Sequence, residues 1–146
     1  MTQIQDKTGK ERVIPILPEE LEEFENEVER FQAGEWSSEH EFMAFRLRQG
    51  VYGQRQADVQ MVRVKAPFGG LTADQLDALS IFADRYTPLR KGHITTRENI
   101  QFHHVKLEDA AAGLHILAEV GLSTREACGN TVRNVTGCPM AGVCGD

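Results

Sequence analysis

Val59-Gln60-Met61-Val62-Arg63-Val64-Lys65 is the stretch on which the fold turns. Val59, Met61, Val62 and Val64 alternate with Gln60, Arg63 and Lys65, the two-residue period of a strand with a buried face. Met61 and Val62 break a perfect alternation, and Pro67 with Gly69-Gly70 stops the strand. Thr72 then caps a helix on which Leu76, Leu79, Phe82 and Ala83 share a face. Asp74 and Asp77 lie near its N-terminal end, where carboxylates complement the helix dipole, and Pro88 closes the element. Gly92 to Val105 is rich in β-branched and aromatic residues and reads as an extended segment. Glu108 to Val120 reads as a second helix, with Leu114, Leu117 and Val120 inward and Gly121 as its stop. Strand, helix, strand, helix, joined by crossovers of about twenty residues, predicts an α+β or α/β unit on a small sheet.

Upstream, Pro18-Glu19-Glu20 opens an acidic helix, because proline suits the first turn. Leu21, Phe24, Val28 and Phe31 form its apolar stripe, and Ala33-Gly34 ends it. A shorter helix starts after Ser37-Ser38, with Phe42, Phe45 and Leu47 as apolar contacts and Arg46 and Arg48 solvated. Residues 1 to 17 read as an irregular lead-in, in which Val13, Ile14, Ile16 and Leu17 are interrupted by Pro15 and closed by Pro18.

Composition bounds what such a chain can do. Its 146 residues, 40% hydrophobic and 26% charged, suit one globular domain or one and a fraction, and exclude disorder over most of the length. The net charge of -6 is unevenly spread: residues 1 to 45 carry 4 Lys/Arg against 12 Asp/Glu, and the remainder 12 against 10. That distribution argues against general nucleic-acid binding, which needs a concentrated positive face. No run approaches the roughly 20 apolar residues of a membrane span, and the polar start has no secretory h-region, so a cytoplasmic protein is expected. Three cysteines argue against a disulfide framework.

Arginine is the residue type with most to offer chemically. Arg63, Arg97 in Thr95-Thr96-Arg97-Glu98-Asn99, and Arg133 in Thr131-Val132-Arg133-Asn134-Val135 all sit on segments that look like strands or strand ends. A guanidinium amid β-branched neighbours is costly to bury unless it meets an anion, and its planar fork matches carboxylates and small oxyanions. The plainer alternative is a set of surface arginines on a solvated sheet face. Asn99, Gln101, Asn130 and Asn134 add uncharged donors nearby, suited to orienting an acidic ligand or to satisfying turn backbone. His103 and His104 are adjacent, so on a strand they point to opposite faces and do not share one metal, leaving one packed and one solvated. Cys138 and Cys144 are spaced C-x5-C with Cys128 upstream, but three thiols fall short of the usual four ligands and also suit ordinary packed or free cysteines.

Four segments together resemble the siroheme-containing sulfite and nitrite reductases. They are Gly50-Val51-Tyr52-Gly53-Gln54-Arg55-Gln56, Met61 to Gly70, Ile94 to Gln101, and Ala127 to Pro139, and they stand in family order. The similarity spans approximately residues 41 to 142. It implies an α+β fold: an acidic helical N-terminal segment over 1–58, a ferredoxin-like half-domain over 59–122, and the truncated beginning of a siroheme-binding domain over 123–146. By the same resemblance, Arg63 and Arg133 face the sulfite or nitrite anion beside the siroheme iron. Arg97, Asn99 and Gln101 contact the peripheral carboxylates of the cofactor, with Asn134 and Arg55 in the same neighbourhood.

The implied cofactors of the complete family enzyme are siroheme and a 4Fe-4S cluster, whose cysteine ligands lie far downstream in that family. The C-x5-C of Cys138 and Cys144 imitates that spacing in a different place, and Lys65 matches none of the family's active-site lysines. The chain is therefore expected to be an amino-terminal part of a six-electron reductase, inactive alone and binding neither cofactor stably by itself. Its expected partners are sulfite or nitrite, a ferredoxin or flavoprotein electron donor, and the remaining half of the reductase. Two other functions are compatible with the residues: a stand-alone, non-catalytic half-domain that dimerises or pairs with another chain, and a small metal-binding protein using Cys128, Cys138 and Cys144.

Overall fold

The computed structural model describes residues 17–144. Apart from Leu17, the lead-in expected over residues 1 to 17 lies outside the described residues. The elements in chain order are α1 (Pro18–Gln32), α2 (Glu39–Arg48), β1 (Val51–Gly53), β2 (Val59–Val64), a short 3-10 turn (Pro67–Gly69), α3 (Ala73–Tyr86), β3 (His93–Ile94), β4 (Ile100–Lys106) and α4 (Leu107–Glu119). The fold is α+β, with a four-stranded, wholly antiparallel sheet in the order β1-β2-β4-β3.

Local chemistry accounts for most boundaries. Thr72 and Gln75 form a reciprocal capping box at the start of α3, and Ser38 caps α2 by accepting from the His40 N–H. Pro18 occupies the first turn of α1. Gly121, at φ 78°, takes the left-handed conformation that follows α4.

Val62, Val64, Ile100, Phe102 and Val105 face the helices and enter one core with Phe24, Phe42, Phe82, Leu114 and Leu117. Phe82 stacks on Phe102 at 4.4 Å between ring centroids, and Phe31 on Phe42 at 3.9 Å. Helices α1 and α2 thus share the core of the sheet. By the two-residue period, Arg63 and Gln101 point to the opposite face of the sheet.

The irregularity at Met61 and Val62 has a structural counterpart. Gln60 pairs with Val105 but Val62 pairs with Phe102, so β4 carries one extra residue there, and His104 adopts φ 62° within this bulge. Met61 and Val62, which point to opposite faces of β2, are both buried.

Several expectations are corrected. Gly92 to Val105 is not one extended run but a hairpin. Thr95 Oγ1 accepts from the Arg97 and Asn99 amides, Thr95 N–H donates to the Asn99 carbonyl at 2.8 Å, and the chain reverses. A strand, β1, forms within the stretch expected to be helical, where Val51 pairs with Val62. Leu76 is 55% exposed, on the outer side of α3 from Leu79 and Phe82.

Arg46 is not solvated. Its Nη1 donates to Gln60 Oε1 at 2.7 Å, it lies over the Phe42 ring, and burial lowers its pKa from the ordinary guanidinium value. Arg97 belongs to the β3–β4 bend and Arg133 to an irregular segment, so only Arg63 is on a strand. Among the described residues, no helix is long and apolar enough to cross a membrane.

Candidate anion-binding cleft

Pro67 ends β2, which leaves the preceding residue, Ala66, buried with backbone groups that no ladder satisfies. Two asparagines supply partners, beside the Gly69 N–H, which donates to the Ala66 carbonyl at 3.0 Å. Asn99 Oδ1 accepts from the Ala66 N–H at 3.3 Å, and Asn134 Nδ2 donates to the Ala66 carbonyl at 2.8 Å. Asn134 comes from the segment after α4, which returns to the end of β2 through the Lys65–Ser123 bridge. That segment is fastened at Thr124 Oγ1, which donates to the Gln49 carbonyl, and at Arg125, whose Nη1 pairs with the Glu20 carboxylate at 2.9 Å. The end of β2, the β3–β4 bend and the returning segment therefore meet at one place.

Three guanidiniums meet there as well. Arg63 stands opposite Gln101 in the β2–β4 register. The Gln101 amide oxygen, oriented by its donors, accepts from Arg63 Nε at 2.8 Å and from Nη2, while Arg63 Nη1 donates to the Ala127 carbonyl at 3.2 Å. Arg97 Nη2 donates to the Asn134 carbonyl at 2.7 Å. Arg133 is exposed. All three line one open cleft of about 560 Å³, with Thr95, Thr96, Asn99, Gln101, Glu126, Ala127 and Asn134. The lining holds three arginines against a single carboxylate, Glu126, which suits an anion with more than one negative group.

Of the residues expected at the site, Arg63, Arg97, Asn99, Gln101, Arg133 and Asn134 are brought together. Arg55 is not: it is exposed in the β1–β2 connection and does not line the cleft. Thr95, Thr96 and Glu126 line it without having been singled out. For the two threonines the signal was their position beside Arg97; Glu126 had none.

The histidines sit further along β4. Gln54 accepts from the His104 N–H at 2.6 Å and lies 3.4 Å from His103 Nδ1, so it braces the bulge. His103 and His104 are both half-buried, not one packed and one solvated, because the extra residue breaks the strand's alternation. Burial lowers the His103 pKa, and His104, His93 and Arg63 add repulsion.

Cys128 is buried with its Sγ 3.5 Å from the Gly50 carbonyl, whereas Cys138 and Cys144 are exposed. Burial raises the Cys128 pKa, although Arg63 and Arg133 pull it down. Among the described residues, no three His, Cys, Asp or Glu side chains gather as a metal requires, so these thiols do not fit an iron–sulfur cluster. The arginine cleft does fit the several carboxylates of a siroheme edge by charge and donor type.

A sequence profile of the nitrite/sulfite reductase ferredoxin-like half domain matches residues 52–120. Residues 52–120 thus carry the ferredoxin-like half domain of the nitrite/sulfite reductases. Among relatives of this half domain, a ferredoxin--nitrite reductase of Synechococcus elongatus is 41% identical over 83 residues, 57% of this chain and 16% of the relative. A sulfite reductase [ferredoxin] of Mycobacterium tuberculosis is 34% identical over 87 residues, 60% of this chain and 16% of the relative. The chain thus spans about one sixth of the length of these reductases. The structure of the Mycobacterium tuberculosis NirA protein superposes with a TM-score of 0.64 at 24% identity, over 84% of this chain and 28% of that one, which shows a common fold.

Proposed function

We propose that this chain supplies the anion-binding wall of a siroheme-dependent nitrite or sulfite reductase, with Arg63 and Arg133 toward the oxyanion and Arg97, Asn99 and Gln101 toward the cofactor's carboxylates. The observation that carries this is the convergence of three guanidiniums, from a strand, a bend and an irregular segment, on a cleft with one acidic residue. Siroheme, when bound, supplies the iron at which six electrons reach the oxyanion.

The chain's own part is electrostatic. A guanidinium keeps its proton at any working pH, so these arginines hold the anion and offset accumulating negative charge; they do not deliver protons. Arg63 is pre-oriented, because Gln101 and the Ala127 carbonyl take three of its N–H groups and fix the plane of the fork. Arg97 gives one nitrogen to Asn134 and keeps its other donors for a ligand. Arg55 has no place in this assignment. The curated relatives named above carry ferredoxin in their names, so ferredoxin is the electron donor assigned to the assembled reductase.

The test is titration of the 146-residue chain with sodium sulfite, sodium nitrite and citrate, read by NMR at the arginine Nε–H signals. Arg63, Arg97 and Arg133 should respond together, and Arg63→Ala or Arg133→Ala should weaken sulfite or nitrite binding about tenfold or more, the worth of a charge-assisted contact. Unchanged midpoints in both variants would remove these residues from the site.

A further inference from the structure

We infer that Asn134 is a positioning residue: it fixes Arg97 and Arg133 relative to each other and to the end of β2, and does not itself hold the ligand. The inference rests on the anion-site assignment above for its meaning, but on separate contacts for its support.

Arg97 and Arg133 are both exposed, one in a bend and the other on an irregular segment, so neither is oriented by regular secondary structure. Asn134 adjoins Arg133 in the chain, bonds to Arg97 and is 5% exposed. Its Nδ2 gives one hydrogen to the Ala66 carbonyl at 2.8 Å and the other to the Arg97 carbonyl at 2.9 Å, so no side-chain donor remains for a ligand. Its Oδ1 is buried and has no partner, so it is turned away from solvent. Its own carbonyl accepts from Arg97 Nη2 at 2.7 Å. One residue thereby engages the backbone and the guanidinium of Arg97, closes the end of β2, and carries Arg133 as its chain neighbour.

The adjoining contacts reinforce the same junction. The Phe68 N–H donates to the Val135 carbonyl at 2.7 Å, and the Gly137 N–H donates to Glu98 Oε2 at 3.0 Å. Phe68 at φ 49° and Glu98 at φ 64° are both left-handed, a conformation non-glycine residues keep only where surrounding contacts impose it. A Cβ at Gly137 would lie 3.0 Å from the Phe68 Cβ, so the returning segment runs hard against the turn that follows β2. The bends that present the arginines are locked by Asn134, Glu98 and the backbone of 135–137. Holding two long side chains in one geometry before a ligand arrives removes an ordering cost that binding must otherwise overcome.

The experiment uses the full chain with two readouts. The first is hydrogen exchange at the Phe68 and Gly137 amides with no anion present; the second is the sodium sulfite titration at the Nε–H signals of Arg63, Arg97 and Arg133. In Asn134→Ala, exchange at Phe68 and Gly137 is expected to accelerate about tenfold or more, as loss of two buried donor bonds implies, while the Val62 and Phe102 amides keep their rates. The Arg97 and Arg133 responses then weaken by a similar factor and separate from one another, and Arg63 keeps its own. Asn134→Asp, which retains the shape but donates neither hydrogen, should behave alike and serves if the alanine variant does not fold. Unchanged exchange with one shared titration curve overturns the positioning role, as does acceleration spread equally over the sheet, which is general destabilisation. Arginine signals of the wild type that ignore sulfite refute the anion-site assignment instead, and the exchange readout still decides whether Asn134 fastens the segment.

Discussion

Gly113 lies inside α4, where alanine in place of glycine favours a helix by about 1 kcal/mol. By propensity alone, Gly113→Ala stabilises the chain. The contact with α3 reverses that sign. A Cβ at position 113 would collide with Phe82 Cε2 and stand 3.1 Å from Cδ2 and Cζ of the same ring. Phe82 is 0% exposed, stacked on Phe102 at 4.4 Å and edge-on to Tyr86 at 5.4 Å, so the ring has no free direction in which to yield. Overpacking of this kind costs about 1–3 kcal/mol. Because the ring cannot yield, the upper half of that range, about 2–3 kcal/mol, applies, and set against the propensity gain a net loss of about 1–2 kcal/mol remains, or about 3–6 °C in Tm for a domain of this size. Urea unfolding followed by circular dichroism measures it. In a Phe82→Leu background, where the ring is gone, Gly113→Ala should cost little or stabilise. A Gly113→Ala chain as stable as the wild type would refute the close packing of α3 on α4.

The remaining expectations concern titration, thiols and the cofactor. His103 has its pKa lowered below the ordinary 6.5 by burial first and then by His104, His93 and Arg63. Its proton therefore binds more readily in the unfolded chain, so the destabilisation is absent well above pH 6.5, grows as the pH falls through that value, and is complete below the folded pKa. His103→Gln should flatten the acid side of the Tm profile, and an unaltered slope between about pH 7 and 5 would contradict this. Cys128, buried and with its thiol pKa raised, should be alkylated by iodoacetamide far more slowly than exposed Cys138 and Cys144, and in urea the three should react alike. In the assembled reductase, Arg97→Ala should lower siroheme uptake measured by absorbance, since it removes both a cationic donor and the bond to the Asn134 carbonyl; full uptake would exclude Arg97 as a contact.

The helices were legible because their periodicity and caps agree: Thr72 with Gln75, Ser38, Pro18 and Gly121 all mark ends that the structure keeps. What escaped the sequence was decided by pairing between distant segments. Gly92 to Val105 has strand-forming residues throughout, and only the Thr95 hydroxyl, by drawing in the Arg97 and Asn99 amides, turns it into a hairpin. Val51–Gly53 is too short to show a period, and becomes a strand because Val62 lies across from Val51. Leu76 fits the helical stripe of α3 by spacing, but the stripe is wider than the surface available on the core. Arg46 looks like a solvated charge in sequence; the glutamine that receives it is on β2, beyond the reach of any local rule.

The site was legible in residue type and hidden in geometry, and the reason is the proline that ends β2. Pro67 turns the chain out of the ladder, so beyond the Gly69 N–H, which donates to the Ala66 carbonyl at 3.0 Å, the buried Ala66 N–H and the second lone pair of its carbonyl must be satisfied from elsewhere. Asn99 and Asn134 meet that demand from two remote segments, and each brings an arginine within two residues of itself: Arg97 with the first, Arg133 with the second. Arg63 lies three residues before Ala66 on the strand being closed. The convergence of three cations is thus a by-product of repairing one strand end, driven by hydrogen bonds whose loss would cost more than the repulsion among partly exposed guanidiniums. Side-chain chemistry in the sequence suggests asparagines that serve either a ligand or the backbone. The structure joins the two uses, since the amides that satisfy Ala66 are what hold the arginines in one cleft.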